Sequence, residues 1–492
     1  MMKHLYSIIG LLFCMSGAVK AQSSELKVNV ETAGTLPTLI TDAQKFTVSK
    51  IKISGPLNGT DVNFIREMAG VNSENNDTEG ILSSIDLSDA TIKAGGDSYL
   101  SYYSTDSWSD VMRVTKDDVF PADFFHGTRV SKVVLPATIT KIDSCAFQNC
   151  PLLTSIEFPE KVTELETDAF SGSGLTALTL PSTITKIGSY CFWGCANLAS
   201  VDLKAQLSEI AEGTFCQDNF KEINIPEDVL KIGTGAFQYC YSLEKVTGGS
   251  NVTSIGSYAF NQCGKLTDIT LPETLEEMGL NAFANCASLQ TVNIPVGVSY
   301  IGKECFINCG SLTKFTVDEA NEYYKAAAGV LYSKDGKTLV CCPAGMTDEV
   351  DALPEVETIA DNAFDHCVAL KSVILHDKLT SVGNDAFNFC GVLEKLTCYA
   401  VEPPTIGWSG AFFLVPDECV LYVMPESKDK YAAADGWKDF KNIEEIGSTG
   451  IGVINADAEA EYYTVGGLRT SAIRHGLNIV RMNDGKVVKV MK

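Results

Sequence analysis

Three consecutive stretches decide the fold: "SIGSYAFNQCGKLTDITLP" (residues 254–272), "EMGLNAFANCASLQTVNIP" (277–295) and "YIGKECFINCGSLTKFTV" (300–317). Their shared frame is I-G-x-x-A-F-x-x-C-x-x-L-x-x-I-x-L-P. The frame's Phe recurs at Phe125, Phe147, Phe170, Phe192, Phe215, Phe237, Phe260, Phe283 and Phe306, always 22 or 23 residues apart, then at Phe364, Phe387 and Phe412. A fixed period of this length marks a repeat architecture. Each unit ends in a short alternating piece, such as Leu266, Ile269 and Leu271, with the period of two of a half-buried strand. The Pro stops that strand, and Ile-Gly leads into a tight arc carrying Ala-Phe. So short a unit cannot bury its apolar side alone, so neighbours stack into a parallel ladder over one continuous core. The expected fold class is an α/β repeat protein, mostly β: a solenoid with a parallel strand ladder, an N-terminal cap and a small C-terminal β module. About a dozen rungs at strand spacing predict a rod or arc roughly 55 to 60 Å long.

The chain has 492 residues, 45% hydrophobic and 20% charged. That is too apolar for a disordered polymer and too polar for a membrane-embedded one. Lys and Arg total 38 against 62 Asp and Glu, a net charge of −24. Such a charge repels phosphate backbones and anionic lipids, so no nucleic-acid partner is expected.

Lys3 and His4 precede an apolar run from Leu5 to Ala18, followed by small residues up to Ala21. This run is too short for a membrane span and reads as a secretory signal peptide over 1–21. Cys14 in "LLFC" leaves lipoprotein processing open, against which bulky Phe13 argues. No later stretch is long and apolar enough to span a membrane. The expected location is outside the cell, at the surface (outer membrane) or secreted.

Departures from the repeat place the remaining parts. Residues 25–93 contain "KIKISGPLNGTDVNFIREMAG" and "LSSIDLSDATI", which fit a strand, a helix starting near Thr60 or Asp61, and a second strand. After them comes "GGDSYLSYYSTDSWSD" (95–110), a polar stretch carrying Tyr99, Tyr102, Tyr103 and Trp108. Aromatic residues on an adaptable polar loop suit recognition, or else the rings shield the first rung. Phe306 and Phe364 lie 58 residues apart, and "GVLYSKDGKTLVCCP" (329–343) between them predicts a hairpin turning at Lys334, Asp335 and Gly336. Its second arm, from Leu339 to Pro343, resembles a repeat strand and should continue the ladder. From Glu402 the frame dissolves; 427–434 suits a short helix, with Trp437 and Phe440 folding back over the last rung. Residues 447–458 are small and Gly-rich, and 459–492 alternate like strands, with Asn483, Asp484 and Gly485 as a turn. The expected organisation is a signal peptide (1–21), an N-terminal capping module with an aromatic loop (22–119), repeats (120–401) with a hairpin insertion at about 318–345, a C-terminal cap (402–446), a linker (447–458) and a small β module (459–492).

The repeat frame resembles the BspA-type, or Treponema pallidum-type, leucine-rich repeats of bacterial surface and secreted proteins. The resemblance covers about residues 120–445 and implies strands lining a concave face, and in several members adhesion to host matrix proteins or other cells. The hairpin also looks like an insertion common in that family. The C-terminal "EYYTVGG", "GLNIVRMNDGK" and basic end resemble type IX secretion sorting domains; a terminal β cap is the alternative.

Cys150, Cys195, Cys240, Cys263, Cys286, Cys309, Cys367 and Cys390 occupy one column of the frame. Parallel side chains there stand about 4.8 Å apart, against about 3.8 Å between the Cβ atoms of a disulfide. A column of buried free thiols follows. Cys145, Cys191 and Cys305 add a Cys at the Ala position, with no His or second pair at zinc-ligand spacing, so no metal and no cofactor are expected. The five His form no HExxH, and no GxSxG elbow or Walker loop appears in a strand-to-helix setting, so no catalytic residue is assigned.

The solvent-facing strand column reads Thr179, Asp202, Asn224, Thr247, Thr270, Asn293 and Thr316, with Thr397 further on. Those seven are the candidate ligand-binding residues, with Tyr99, Tyr102, Tyr103 and Trp108 as a second candidate set. Trp193 is expected to be exposed on the outer arc. The functional expectation is a monomeric, exported binding protein, adhesin-like, taking an extracellular protein or glycan. A structural spacer of the cell envelope is the alternative, and a glycan-acting hydrolase a third class.

Overall fold

The computed structural model describes residues 25–104, 109–347, 349–407 and 410–446, and four strands between 460 and 491. The signal-peptide segment, the linker and the C-terminal turn at 483–485 lie outside the described residues.

Each repeat closes one turn of a coil with three sides. The first is a strand such as Ala177–Leu180, Glu222–Ile225 or Thr291–Ile294, alternating exposed and buried as its sequence does. The second is a two-residue strand just before the frame's Gly, too short to leave a periodicity signal, paired in parallel with its neighbours from Glu209–Ile210 through Lys231–Ile232, Ser254–Ile255 and Glu277–Met278 to Tyr300–Ile301. The rungs approach most closely here: a Cβ on Gly279 would stand 2.4 Å from the Ser257 nitrogen, which is why the frame needs Gly.

The third side is the arc carrying Ala-Phe. In eight successive arcs, from 123–127 to 281–285, three alternate backbone N–H groups donate to carbonyls of the next arc at 2.7–3.1 Å; Asn281, Phe283 and Asn285 donate to Lys303, Cys305 and Ile307. The first and third donors of each arc have φ between +54° and +70°. This alternation of right- and left-handed backbone turns the amides along the solenoid axis. Inside the arcs the Phe rings from Phe125 to Phe306 stack with centroids 5.1–5.7 Å apart. All sixteen described cysteines are free, and the column cysteines are buried as expected. Their role goes beyond filling space: the thiols of Cys150, Cys240 and Cys286 donate to the carbonyls of Phe125, Phe215 and Phe260 in the preceding rung at 2.9–3.2 Å.

Two expectations about continuity are corrected. In the first half the strand-face ladder is fragmented: Ala177–Leu180 pairs Ser200–Leu203, Glu222–Ile225 pairs Lys245–Gly248, and Thr291–Ile294 pairs Lys314–Val317, each as a separate two-stranded sheet, whereas in the second half five strands from Glu349–Asp351 to Asn442–Glu445 pair in parallel without a break. The core is two clusters and not one; the first runs from Val30 to Leu331, the second from Val330 to Trp437. They divide at the insertion. There Tyr324–Ala327, Val330–Ser333 and Thr338–Cys341 form antiparallel neighbours, with the predicted turn at 334–336. The second arm continues the ladder as expected, pairing in parallel with Thr358–Ile359.

Both ends are covered by segments outside the repeat. Strands Leu26–Asn29, Lys50–Leu57 and Ser84–Asp86 lead in parallel into Lys132–Val134, and a helix over Gly59–Met68, capped by Asn58, packs beside them. At the other end a short helix, Lys428–Ala433, precedes buried Trp437, whose ring lies 5.0 Å from Phe412. Near the C-terminus, Ala460–Thr464, Arg469–Thr470, Leu477–Met482 and Val487–Met491 form a four-stranded antiparallel sheet.

Candidate functional site: the strand face and its mouth

The predicted column lies where the alternation places it. Thr179, Asp202, Asn224, Thr247, Thr270 and Asn293 are exposed and Thr316 is half-buried. Two neighbouring pairs are joined across rungs: the Thr247 hydroxyl donates to Asn224 Oδ1 at 3.0 Å, and the Thr316 hydroxyl to Asn293 Oδ1 at 2.8 Å. The second-half column differs, since Thr397, between Ile374 and Tyr422 of the adjoining strands, is buried.

The aromatic set does not come together as a loop. Gly95–Ser104 pairs antiparallel with Ser109–Thr115. Tyr102 and Tyr103 lie on the first of these strands, and Trp108 falls outside the described residues. Tyr99 is a correction: its ring is fully buried and its hydroxyl donates to the Ala122 carbonyl at 2.7 Å. It shields the first rung, with burial pushing its hydroxyl well above the ordinary value, and is no recognition residue. Trp193 is exposed as expected, at 39%.

The strand face carries one feature that the column did not announce. At 248–249 the frame's Leu-Pro is replaced by Gly-Gly. Both glycines adopt left-handed φ, +74° and +68°, and the Gly249 amide donates to the Ile225 carbonyl at 3.0 Å. A Cβ on Gly248 would lie 2.2 Å from that same oxygen, so the strand end leans back onto the preceding rung as only Gly can. The next rung loses its partner. Apart from one bridge, Lys245 with Asp268, residues 267–271 join no ladder, although Leu266, Ile269 and Leu271 spell the expected strand. A cavity of about 640 Å³ opens between the two rungs. Its interior is Ile225, Val252, Ile255, Phe260, Ile269 and Leu271, and exposed Lys245, Thr247, Asp268 and Thr270 stand at its rim. The sequence signal was present as a two-residue lapse in the frame.

His126, His366 and His376 each pair with one carboxylate, of Asp123, Asp365 and Asp351. Among the described residues no group of three His, Cys, Asp or Glu is placed to hold a metal, and no helix is long and apolar enough to cross a membrane. Asp218 replaces Cys in the thiol column; neither carboxyl oxygen has a hydrogen-bond partner, and burial, opposed by the nearby Cys195 amide, pushes it well above the carboxylate range.

The family described as the BspA type leucine-rich-repeat region matches residues 119–244, 208–328 and 347–408, more than half of the chain. The chain belongs to the BspA-type leucine-rich-repeat family. What the matches omit between them, 329–346, holds both arms and the turn of the hairpin. Among solved structures, a leucine-rich-repeat protein from Bacteroides ovatus is 21% identical, covers 74% of this chain and 84% of its own, and gives a TM-score of 0.53. A leucine-rich cell surface protein from Faecalibacterium prausnitzii, also 21% identical, covers 72% and 95% with a TM-score of 0.39. The pneumococcal vaccine antigen PcpA, at the same identity, covers 60% and 87% with a TM-score of 0.37. At such identities the likeness shows the fold alone. No curated protein matches.

Proposed function

We propose that this BspA-type repeat protein is exported and displayed or secreted, and that it binds an extracellular protein or glycan along its strand face in the manner of an adhesin. Residues 1–21 are its signal peptide, 22–119 and 402–446 its caps, and 459–492 a type IX sorting module joined through the linker 447–458. The observation that carries the binding reading is the mouth at Gly248–Gly249, an apolar cavity rimmed by exposed polar residues on the face already selected from the sequence. Asn224, Thr247, Thr270 and Asn293 flank it.

The test is an array of extracellular-matrix proteins and glycans probed with the purified protein. Saturable capture is expected, weakened about tenfold by Thr270→Trp, which lays an indole over the mouth, and by Asn224→Ala with Asn293→Ala. Unchanged capture by these variants rejects the strand face. The spacer reading draws on a specific observation too, because the Asn224–Thr247 and Asn293–Thr316 hydrogen bonds turn the column's polar groups onto the ladder itself. It expects no saturable binding on either array.

A further inference from the structure

The arcs tie each rung to the next through three alternate amides, and inside the repeat run that tie is missing at the ninth arc. In the arc 304–308 the N–H groups of Glu304, Phe306 and Asn308 donate to no backbone or side-chain acceptor among the described residues, although the φ of Glu304 and Asn308, +57° and +56°, are those of every preceding arc. The reason lies in the insertion. Where the next arc would bring its Phe, the chain brings Cys342, whose own amide does reach forward to the Ala363 carbonyl at 2.7 Å. Cys is far smaller than Phe, and the ring stack breaks there: Phe306 stacks on Phe283 behind it, and the next stack begins at Phe364 with Phe387. A cavity of about 260 Å³ occupies the space, floored by Cys305, Phe306, Ile307 and Cys342. Phe306 and Cys305, each 3% exposed, show at its floor, whereas the stack from Phe125 to Phe283 is fully covered.

At its two outer ends the coil is covered by added side chains, although the Phe412 and Leu414 amides of the last arc also meet no acceptor among the described residues. The outward carbonyls of the first arc, Ala122 and Phe124, accept from the Tyr99 hydroxyl at 2.7 Å and the buried Arg66 guanidinium at 3.2 Å. The last rung is closed by Trp437, which donates to the Pro404 carbonyl at 2.7 Å. The ninth arc has a free row of donors, an apolar hole in front of it and no cap.

We infer that this joint is a second binding site, which takes a short peptide segment of a partner protein as a surrogate arc. Three amides at alternate residues along one backbone match the alternate carbonyls of an extended or arc-shaped peptide, the recognition mode of strand addition. The hole accepts one apolar side chain of that peptide in place of the absent Phe. The rim selects against anions: Glu304, Asp361 and Asp365 line it, with Lys303 held 3.6 Å from Asp361 and 3.9 Å from Glu304. A peptide with a basic residue beside its apolar one fits this charge. The site lies on the arc side of the coil, away from the strand column, and does not rest on the strand-face reading.

Amide hydrogen exchange on the full chain tests it, with a synthetic capped peptide of residues 280–287, "LNAFANCA", as the probe, because that arc is the chain's own complement to such donors. In the free protein the amides of Glu304, Phe306 and Asn308 are expected to exchange at least about tenfold faster than those of Asn281, Phe283 and Asn285. Added peptide should slow the first three by about tenfold, and the same peptide with Gly in place of its Phe should not. The variant Cys342→Phe, which fills the hole, should abolish the effect; should it misfold, Ala344→Met, at another buried position of the lining, narrows the same cavity by less and serves instead. Native-like protection of the three amides in the free protein overturns the inference. So does the absence of slowing at millimolar peptide, or slowing by an oligosaccharide in place of the peptide.

Discussion

The first arc and the ninth face the same problem and meet it differently. Both end a run of rungs, the first on its carbonyl side and the ninth on its amide side. The first is closed by Tyr99 and Arg66, two residues brought from outside the repeat, while the amides of the ninth meet nothing. An insertion thus acts as an internal terminus: it lets the ladder continue through Thr338–Cys341, yet splits the core and leaves one rung edge unsatisfied. Here the cost of the insertion falls on the rung before it, whereas that of the Gly248–Gly249 lapse falls on the rung after it.

The largest effect that can break this comparison is truncation of the ring stack. Phe215 sits between Phe192 and Phe237 at 5.6 and 5.7 Å, and Phe215→Ala should cost about 4 kcal/mol in denaturant unfolding. Phe306 stacks on one side and meets Phe315 edge-on at 5.3 Å, so Phe306→Ala should cost about half as much. Equal losses would mean that the joint is as well packed as the interior.

The regular stack has its own flaw at Asp218, and correcting it should gain less. Asp218→Cys restores the column and should stabilise the protein by about 1–3 kcal/mol at pH 7. The sign follows from the raised folded value: above the ordinary 3.8 the unfolded carboxyl releases a proton that the folded one keeps, so stability falls as pH rises, until the folded group ionises as well. Thermal unfolding from pH 4 to 8 should show that slope in the parent and lose it in the variant; parallel curves would place the carboxyl outside the core. The smallest effect belongs to the cap. Tyr99→Phe strips the hydroxyl from the Ala122 carbonyl and should cost about 1 kcal/mol, and no loss would show that the ring alone closes the first arc.

Much of this was legible in the frame, for physical reasons. Spacing of the Phe residues places identical groups one rung apart, so the stacked coil, the thiol column and the exposed column from Thr179 to Asn293 all follow from counting. The hairpin at 334–336 and the helix beginning near Thr60 were carried by local turn and capping chemistry, and the helix starts at Gly59 with Asn58 as its cap. Pairing was harder to read. Two-residue strands such as Lys231–Ile232 have no periodicity to detect, and a strand-like spelling at 266–271 does not pair when its neighbour bends away at Gly248. The capping roles of Tyr99 and Arg66 depend on contacts with residues 23 and 58 positions away, which no local pattern encodes. The mouth and the thiol-column substitution Asp218 did leave marks, each a lapse at one or two frame positions.

The thiol column has a consequence for a chain exported as proposed. Burial pushes Cys150 of the column up to about 12, and Cys216, which lies beside the column next to Phe215, to about 11, so these thiols present almost no thiolate to an oxidant. Once a coil opens, thiols spaced a few ångströms apart along the axis become free to cross-link, and the way back is lost. Endurance in an oxidising milieu is then set by how seldom the stack opens, a waiting time and not an equilibrium.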